Sequence, residues 1–349
     1  MAPPPLLVRR LVLAPLVVLL AIVVVPTTLM FALVVGAALT WVLPGRLRVV
    51  RALWMLAFYI VWDAAALVAL FGLWVASGFG LAMRQPWCRR AHVALMRRML
   101  ALFFWQARWT LRLRIIADVG DGTGADDVPL PDAPLVVVSR HAGPGDSFIL
   151  VNWLLAEHDR VPAIVLKDTL QWDPAIDVLL HRLPSAFVTP ARRRRPGQPS
   201  TRETIARVAA DMGPQDALVL FHEGGNVTPR RRTARIAALR DGGQEALAVR
   251  AKAMPNVMAP HAGGFATALD AAPQASVLVV AHTGLERLVT LKDIWRELPM
   301  DKTITLGGWL TSSGDLPPDG VSRAAWLFDQ WAGVDAWITA QNRQLEPEA

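Results

Sequence analysis

The chain has 349 residues, 53% of them hydrophobic, and its 36 Lys and Arg against 29 Asp and Glu give a net charge of +7. A mean hydropathy of +0.34 is too apolar for an ordinary soluble domain but suits one such domain joined to a membrane anchor. The single cysteine, Cys88, excludes an intrachain disulfide and a thiolate zinc site and favours a cytosolic face.

From Leu11 to Gly45 no residue is charged, a run longer than the roughly 20 residues that span a bilayer as a helix. A second apolar stretch, Ala52 to Met83, carries only Asp63. Arginines flank both: Arg9 and Arg10, then Arg46, Arg48 and Arg51, then Arg84, Arg89 and Arg90. The positive-inside tendency draws all three clusters to the cytosol. Two membrane-inserted hairpins satisfy it, whereas one crossing per stretch fits the helix lengths but puts the middle cluster outside; both readings stay open. A cleavable signal peptide is disfavoured, because the first run is too long and a second follows at once. Asp63 is expected at a hairpin tip or a wet interface.

Pro86 to Arg114 interleaves Trp105, Trp109 and other apolar residues with Arg97, Arg98, Arg108, Arg112 and Arg114. That mixture suits an interfacial helix, with rings at headgroup level and guanidinium groups toward phosphate. The adjoining membrane segments favour anionic lipid, and no nucleic acid is expected as a partner. The chain thus divides into membrane-inserted helices at 1–85, an interfacial helix at 86–114 and a domain at 115–349.

Beyond Arg114, short β-branched runs alternate with helical patterns, which predicts an α/β domain with a mixed sheet flanked by helices. Strands are expected at Leu113–Ala117, Leu135–Ser139, Ala163–Leu166, Ala186–Thr189, Ala217–Phe221, Asn256–Ala259, Ser276–Ala281 and Thr303–Gly307. Helices are expected at Ser147–Glu157, Thr201–Met212, Gly243–Ala253 and Ser322–Gln341. Ser200 and Glu203 have the spacing of a capping box at the start of the second. Gly120–Ala133 and the arginine-rich Ala191–Pro199 read as loops.

Two motifs carry chemistry. His141-Ala-Gly-Pro-Gly-Asp146 follows the strand ending at Ser139, and its Gly143, Pro144 and Gly145 suit a tight turn that returns Asp146 toward the imidazole. A histidine oriented by a carboxylate can take a proton from a hydroxyl and make it a nucleophile. An N-capping aspartate beside a surface histidine would give the same pattern. The second motif is Phe221-His-Glu-Gly-Gly-Asn-Val-Thr-Pro229. Its glycines permit close backbone approach to an anion or polar ligand, and Glu223 either holds a substrate hydroxyl or orients the first motif.

Together these motifs resemble the glycerolipid acyltransferase family that makes phosphatidic acid from lysophosphatidic acid, marked by H-x4-D and F-P-E-G. Further blocks keep the family's order across Val136 to Phe265. The family counts H-x4-D as its first motif and F-P-E-G as its third. Lys167-Asp-Thr-Leu170 with Pro174 is similar to K-x-x-L-x-x-x-P, Leu183 to Thr189 to the family's second motif, and Val257-Met-Ala-Pro260 to its fourth, a strand ending in proline behind the active site. The resemblance implies a glycerol-phosphate acyltransferase-like fold. It also implies a membrane-bound O-acyltransferase whose domain faces the cytosol and whose acceptor is a lysophospholipid, 1-acylglycerol-3-phosphate first. The donor would be acyl-CoA or acyl carrier protein, with no cofactor and no metal.

In that reading His141 deprotonates the acceptor hydroxyl, which attacks the thioester directly, and Asp146 fixes the ring. Glu223, Gly224 and Gly225 bind the acceptor, with Lys167, Arg192 and Arg230 as further binding residues. Three departures bear on the acceptor: His222 replaces the family's proline, Gly225-Asn226 its Thr-Arg, and Pro190 the second motif's arginine. Arg192–Arg195 and Arg230–Arg232 stand near enough in sequence to supply phosphate contacts, though a solvated basic face against an anionic bilayer explains them equally. His261 and His282 end apolar runs and are read as structural. The alternatives are an acyltransferase for another lysolipid or a lipid-linked sugar, and a non-catalytic lipid-binding scaffold. A hydrolase lacks the Gly-x-Ser-x-Gly elbow.

Overall fold

The computed structural model describes residues 2–42, 47–118, 130–141, 145–225, 227–285, 291–298 and 300–345. A short helix α1 (Leu6–Val8) runs through a π-helical turn (Arg9–Leu13) into α2 (Ala14–Val42), and α3 (Arg48–Ala76) follows. The first stretch is therefore one continuous helix as far as Val42, Pro26 included, and the second one as far as Ala76; neither folds into a hairpin. Both are long and apolar enough to cross a membrane.

Both ends of α2 are tied to the rest of the chain. Arg9 and Arg10 pair with the buried Asp177, Arg10 at 3.1 Å. Just beyond the other end, Arg48 donates to the Leu298 carbonyl at 2.8 Å, and Arg51 donates to the Thr110 carbonyl. Asp63 lies within α3, 2% exposed, and accepts the Ala175 N–H at 3.2 Å. It therefore occupies neither a hairpin tip nor a wet interface: it satisfies one of the orphan donors at the start of α6 (Pro174–Leu180).

Helix α4 (Pro86–Leu111) is two-faced. Trp105 and Trp109 are exposed, as an interfacial helix requires. Met96, Leu100 and Phe104 pack in the same buried cluster as Leu135 and Val137, so α4 is also a layer of the domain.

The sheet has seven strands in the order β1 (Arg114–Asp118), β7 (Thr303–Thr311), β6 (Ser276–Thr283), β2 (Leu135–Ser139), β5 (Asp216–Phe221), β3 (Val161–Lys167), β4 (Ala186–Val188). Every neighbouring pair is parallel except β6 and β7. Central β2 and β6 are buried at every position, which is why they read as unbroken apolar runs. On one face pack α4, α5 (Asp146–Ala156) and α6. On the other lie α7 (Thr201–Ala210), α8 (Pro229–Asp241), α9 (Glu245–Ala253), α10 (Ala262–Ala271) and α12 (Gly320–Leu345). A short α11 (Leu291–Glu297) precedes β7, and the expected capping box at Ser200 and Glu203 opens α7.

The expected strand at Asn256–Ala259 does not form. Prolines 255 and 260 flank it, and β2 already has neighbours on both edges. Its N–H groups go instead to carboxylates, Asn256 to Asp335 at 2.7 Å and Met258 to Glu223 at 2.8 Å. The segment is thus buried extended coil, with its backbone polar groups satisfied by side chains.

Candidate active site

The register of two adjacent parallel strands builds the site. Ser139 of β2 is paired with Phe221 of β5, so His141 and Glu223, each two residues further on, leave the sheet side by side. This is the carboxyl end of the strands, where open α/β sheets place their ligands. The Gly143-Pro144 turn lies outside the described residues, but Gly145 has φ of +96°, a conformation that favours glycine, and it leads directly into α5.

Asp146, the first residue of α5, faces His141: Nδ1 lies 2.8 Å from Oδ2 and 3.0 Å from Oδ1. The carboxylate also accepts the Ser147 N–H at 2.6 Å, and the buried His282 Nε2 stands 3.7 Å away. The His141 side chain is 26% exposed and that of Asp146 only 1%. With Nδ1–H donated to Asp146, the neutral ring carries its lone pair on Nε2. Phe221 packs against the ring at 4.9 Å between centroids, its plane tilted by 39°.

Glu223 faces inward. Oε2 accepts the backbone N–H of His141 at 2.8 Å, and Oε1 accepts Met258 N–H at 2.8 Å and Trp331 Nε1 at 3.4 Å. It is 2% exposed. Burial raises its pKa, and these hydrogen bonds with the nearby Arg140 guanidinium oppose the shift. Arg140 is itself buried and donates to the carbonyls of His282 at 2.7 Å and Asn256 at 3.0 Å. Of the two roles read for Glu223, orienting the first motif matches this geometry; holding a substrate hydroxyl does not, because the side chain is buried and does not line the cavity described next.

A cavity of about 730 Å³ opens from His141. Its polar end is formed by His141, Lys167, Gly224, Gly225 and His261. Away from them it is apolar, walled by Ala66 and Leu70 of α3, Met96 and Met99 of α4, and Ile176 and Leu179 of α6. The N-terminal helices therefore complete a pocket whose chemistry sits on the sheet.

The basic residues sort differently from their order in sequence. Lys167 lines the cavity; Arg192, Arg230 and Arg231 do not. Arg231 is the one that reaches the third motif: from α8 it donates to the Gly224 carbonyl at 2.8 Å. Its guanidinium lies where a Cβ on Gly225 would stand, only 2.1 Å from Nη1, and Gly225 has φ of +144°. Arg232 instead binds carbonyls at the end of α9, at 2.7 Å for Lys252, and Arg193 pairs with Asp168 at 2.6 Å. Asn226 lies outside the described residues.

His222 and His261 flank the same turn, His261 N–H donating to the His222 carbonyl at 3.0 Å. The His222 ring is buried edge-on between Phe265 and Trp331, and that desolvation pushes it down to about 3. Burial, then the Arg235 and Arg231 charges, lower His261 as well. Arg140 and Trp331 escaped the sequence reading, which named Arg231 only within the run Arg230–Arg232 and His282 only as structural. The run follows Thr228-Pro229, a capping residue with a proline at the first helical position. Among the described residues no group of three or more His, Cys, Asp or Glu is placed to hold a metal ion.

An α/β domain thus carries a histidine–carboxylate pair at its strand ends, beside a cavity that is largely apolar. The model of the family described as Acyltransferase matches residues 123–283, the stretch that contains β2 to β6 and both motifs. Residues 123–283 thus form an acyltransferase-family domain, the family that the motifs resemble. Comparisons with curated proteins and with solved structures gave no match.

Proposed function

We propose that the chain transfers a fatty acyl group from acyl-CoA or acyl carrier protein to the hydroxyl of a lysophospholipid, with 1-acylglycerol-3-phosphate the foremost acceptor. One observation carries this reading: the His141–Asp146 pair stands at the polar end of a cavity that is otherwise apolar. Such a cavity has the shape of a fatty chain ending at a reactive carbonyl.

In this mechanism His141 Nε2 takes the acceptor's hydroxyl proton while the oxygen attacks the thioester carbon. The tetrahedral intermediate collapses by breaking the C–S bond, and the imidazolium returns its proton to the departing thiolate. Ester and free thiol are the products. Asp146 holds the ring tautomer and offsets the imidazolium charge. Glu223 fixes the His141 backbone, and Lys167 and Arg231 supply cations for the phosphate in place of the arginine the family carries after its third motif.

The domain works at the cytosolic leaflet. Attachment of both ends of α2 to the rest of the chain, through Asp177 on one side and Thr110 and Leu298 on the other, supports a helix lying along the domain with all its arginines on one side. The test is transfer of labelled acyl groups to a panel of lysolipids by membranes containing wild type or Arg231→Ala. The reading expects transfer to lysophosphatidic acid, with KM for that acceptor rising about tenfold in the variant. Transfer only to uncharged acceptors, unaffected by the variant, would refute it.

A further inference from the structure

A second cavity, of about 1070 Å³, lies at the other end of the helical region, between α2, the start of α3, the end of α4 and the β1–β7 edge of the sheet. It shares no lining residue with the cavity at His141. One wall is apolar, formed by Leu29, Ala32, Val50, Trp54 and Trp109. The other is cationic: Arg51, Arg108, Arg112, Arg114 and Lys302 line it with one acid, Asp301.

Asp301 stands 3.4 Å from Arg112, and Lys302 pairs with Glu297 at 3.0 Å. Arg108 and Arg114 have no ion pair among the described residues. The cationic side chains on this wall carry more positive charge than Asp301 offsets. A soluble anion would leave the apolar wall wet, and a neutral lipid would leave the charges of Arg108 and Arg114 without a counter-ion. A molecule with both a phosphate and a hydrocarbon chain satisfies both walls.

We propose that this cavity holds one molecule of anionic phospholipid drawn from the surrounding membrane. Its phosphate lies against Arg108, Arg112 and Arg114, and its chain runs along α2 and α3. Among the described residues no histidine lines the cavity, and the lipid is proposed as a bound molecule, not as a substrate. It joins α2 to the edge of the sheet, as the Arg51 bond to the Thr110 carbonyl joins α3 to α4. The proposal stands apart from the acyl-transfer reading and needs only that the helices meet a membrane.

Native mass spectrometry of the full-length protein in mild detergent, titrated with phosphatidylglycerol or with phosphatidylcholine of the same chains, tests it. Wild type retains one more phosphatidylglycerol than an Arg108→Gln/Arg114→Gln variant, whose affinity at this site falls about thirtyfold. Val50→Trp, which fills the apolar end without changing charge, loses the same lipid. Arg90→Gln/Arg98→Gln makes an equal charge change on exposed positions of α4 outside the cavity and retains the wild-type number. Equal loss in both arginine pairs, no loss in the first pair, or phosphatidylcholine retained as well as phosphatidylglycerol would each overturn the proposal.

Discussion

The ends of β2 and β5 and the helices α3 and α4 meet in one cavity but contribute to it differently. At the strand ends the contribution is directional: Asp146 and Glu223 are almost wholly buried, and their oxygens bind the ring and the backbone of the same histidine. The helices contribute shape alone, through Ala66, Leu70, Met96 and Met99. Rate is therefore expected to depend on the strand ends, and the length of chain accepted on the helices. Pre-organised polar groups lose function abruptly when altered, whereas an apolar wall can be resized with graded effect.

The largest expected effect is at the strand ends. His141→Ala should lower kcat by about 10²- to 10⁴-fold, and Asp146→Asn by on the order of 10²-fold, in a steady-state assay of acyl transfer. Unchanged folding, read by circular dichroism, accompanies both. A helix-side substitution tests the contrast: Ala66→Phe narrows the cavity and should reduce kcat/KM for long-chain donors about tenfold or more, while short-chain donors are spared. A uniform loss across chain lengths would erase the distinction between the two regions.

Glu223→Gln sharpens it further. The amide offers one acceptor oxygen to backbone N–H groups that now bind two, and a buried unsatisfied donor costs about 1–3 kcal/mol, measurable by urea unfolding. Because Glu223 positions His141 and its oxygens are taken by protein donors, kcat should fall while KM for the acceptor holds. A rise in KM alone would instead make it an acceptor ligand.

The smallest effect concerns acid stability. The fold keeps His222 neutral down to about 3, while the unfolded chain protonates that ring below its ordinary value of 6.5. Between those values the unfolded state binds more protons, so stability is constant in this term above 6.5 and is lost as pH falls below it. His222→Leu should flatten that fall between pH 6.5 and 5 in thermal melting curves. An unchanged slope would show that other groups set it.

Much of this was legible in the sequence where a local pattern and a strand end coincided. His141 follows the carboxyl end of β2, as the apolar run before it predicted, and Asp146 opens α5 across the glycine-rich turn. What escaped depended on phase or on long-range pairing. Whether Arg230 or Arg231 reaches the Gly224 turn is decided by the rotation of α8, which the arginine run itself does not encode. Asn256–Ala259 has a strand's composition, yet its N–H groups meet carboxylates from the third motif and α12. Asp63 likewise looked misplaced in an apolar helix until α6 brought the Ala175 N–H to it.

The most direct measurement is release of free thiol from acyl-CoA by membranes containing wild type or His141→Ala, with and without lysophosphatidic acid, alongside the labelled product. Thiol release by wild type should require the acceptor, match the diacyl product one for one and fall to background in the variant. Thiol released without an acceptor, or at the same rate in the variant, would contradict direct transfer at His141.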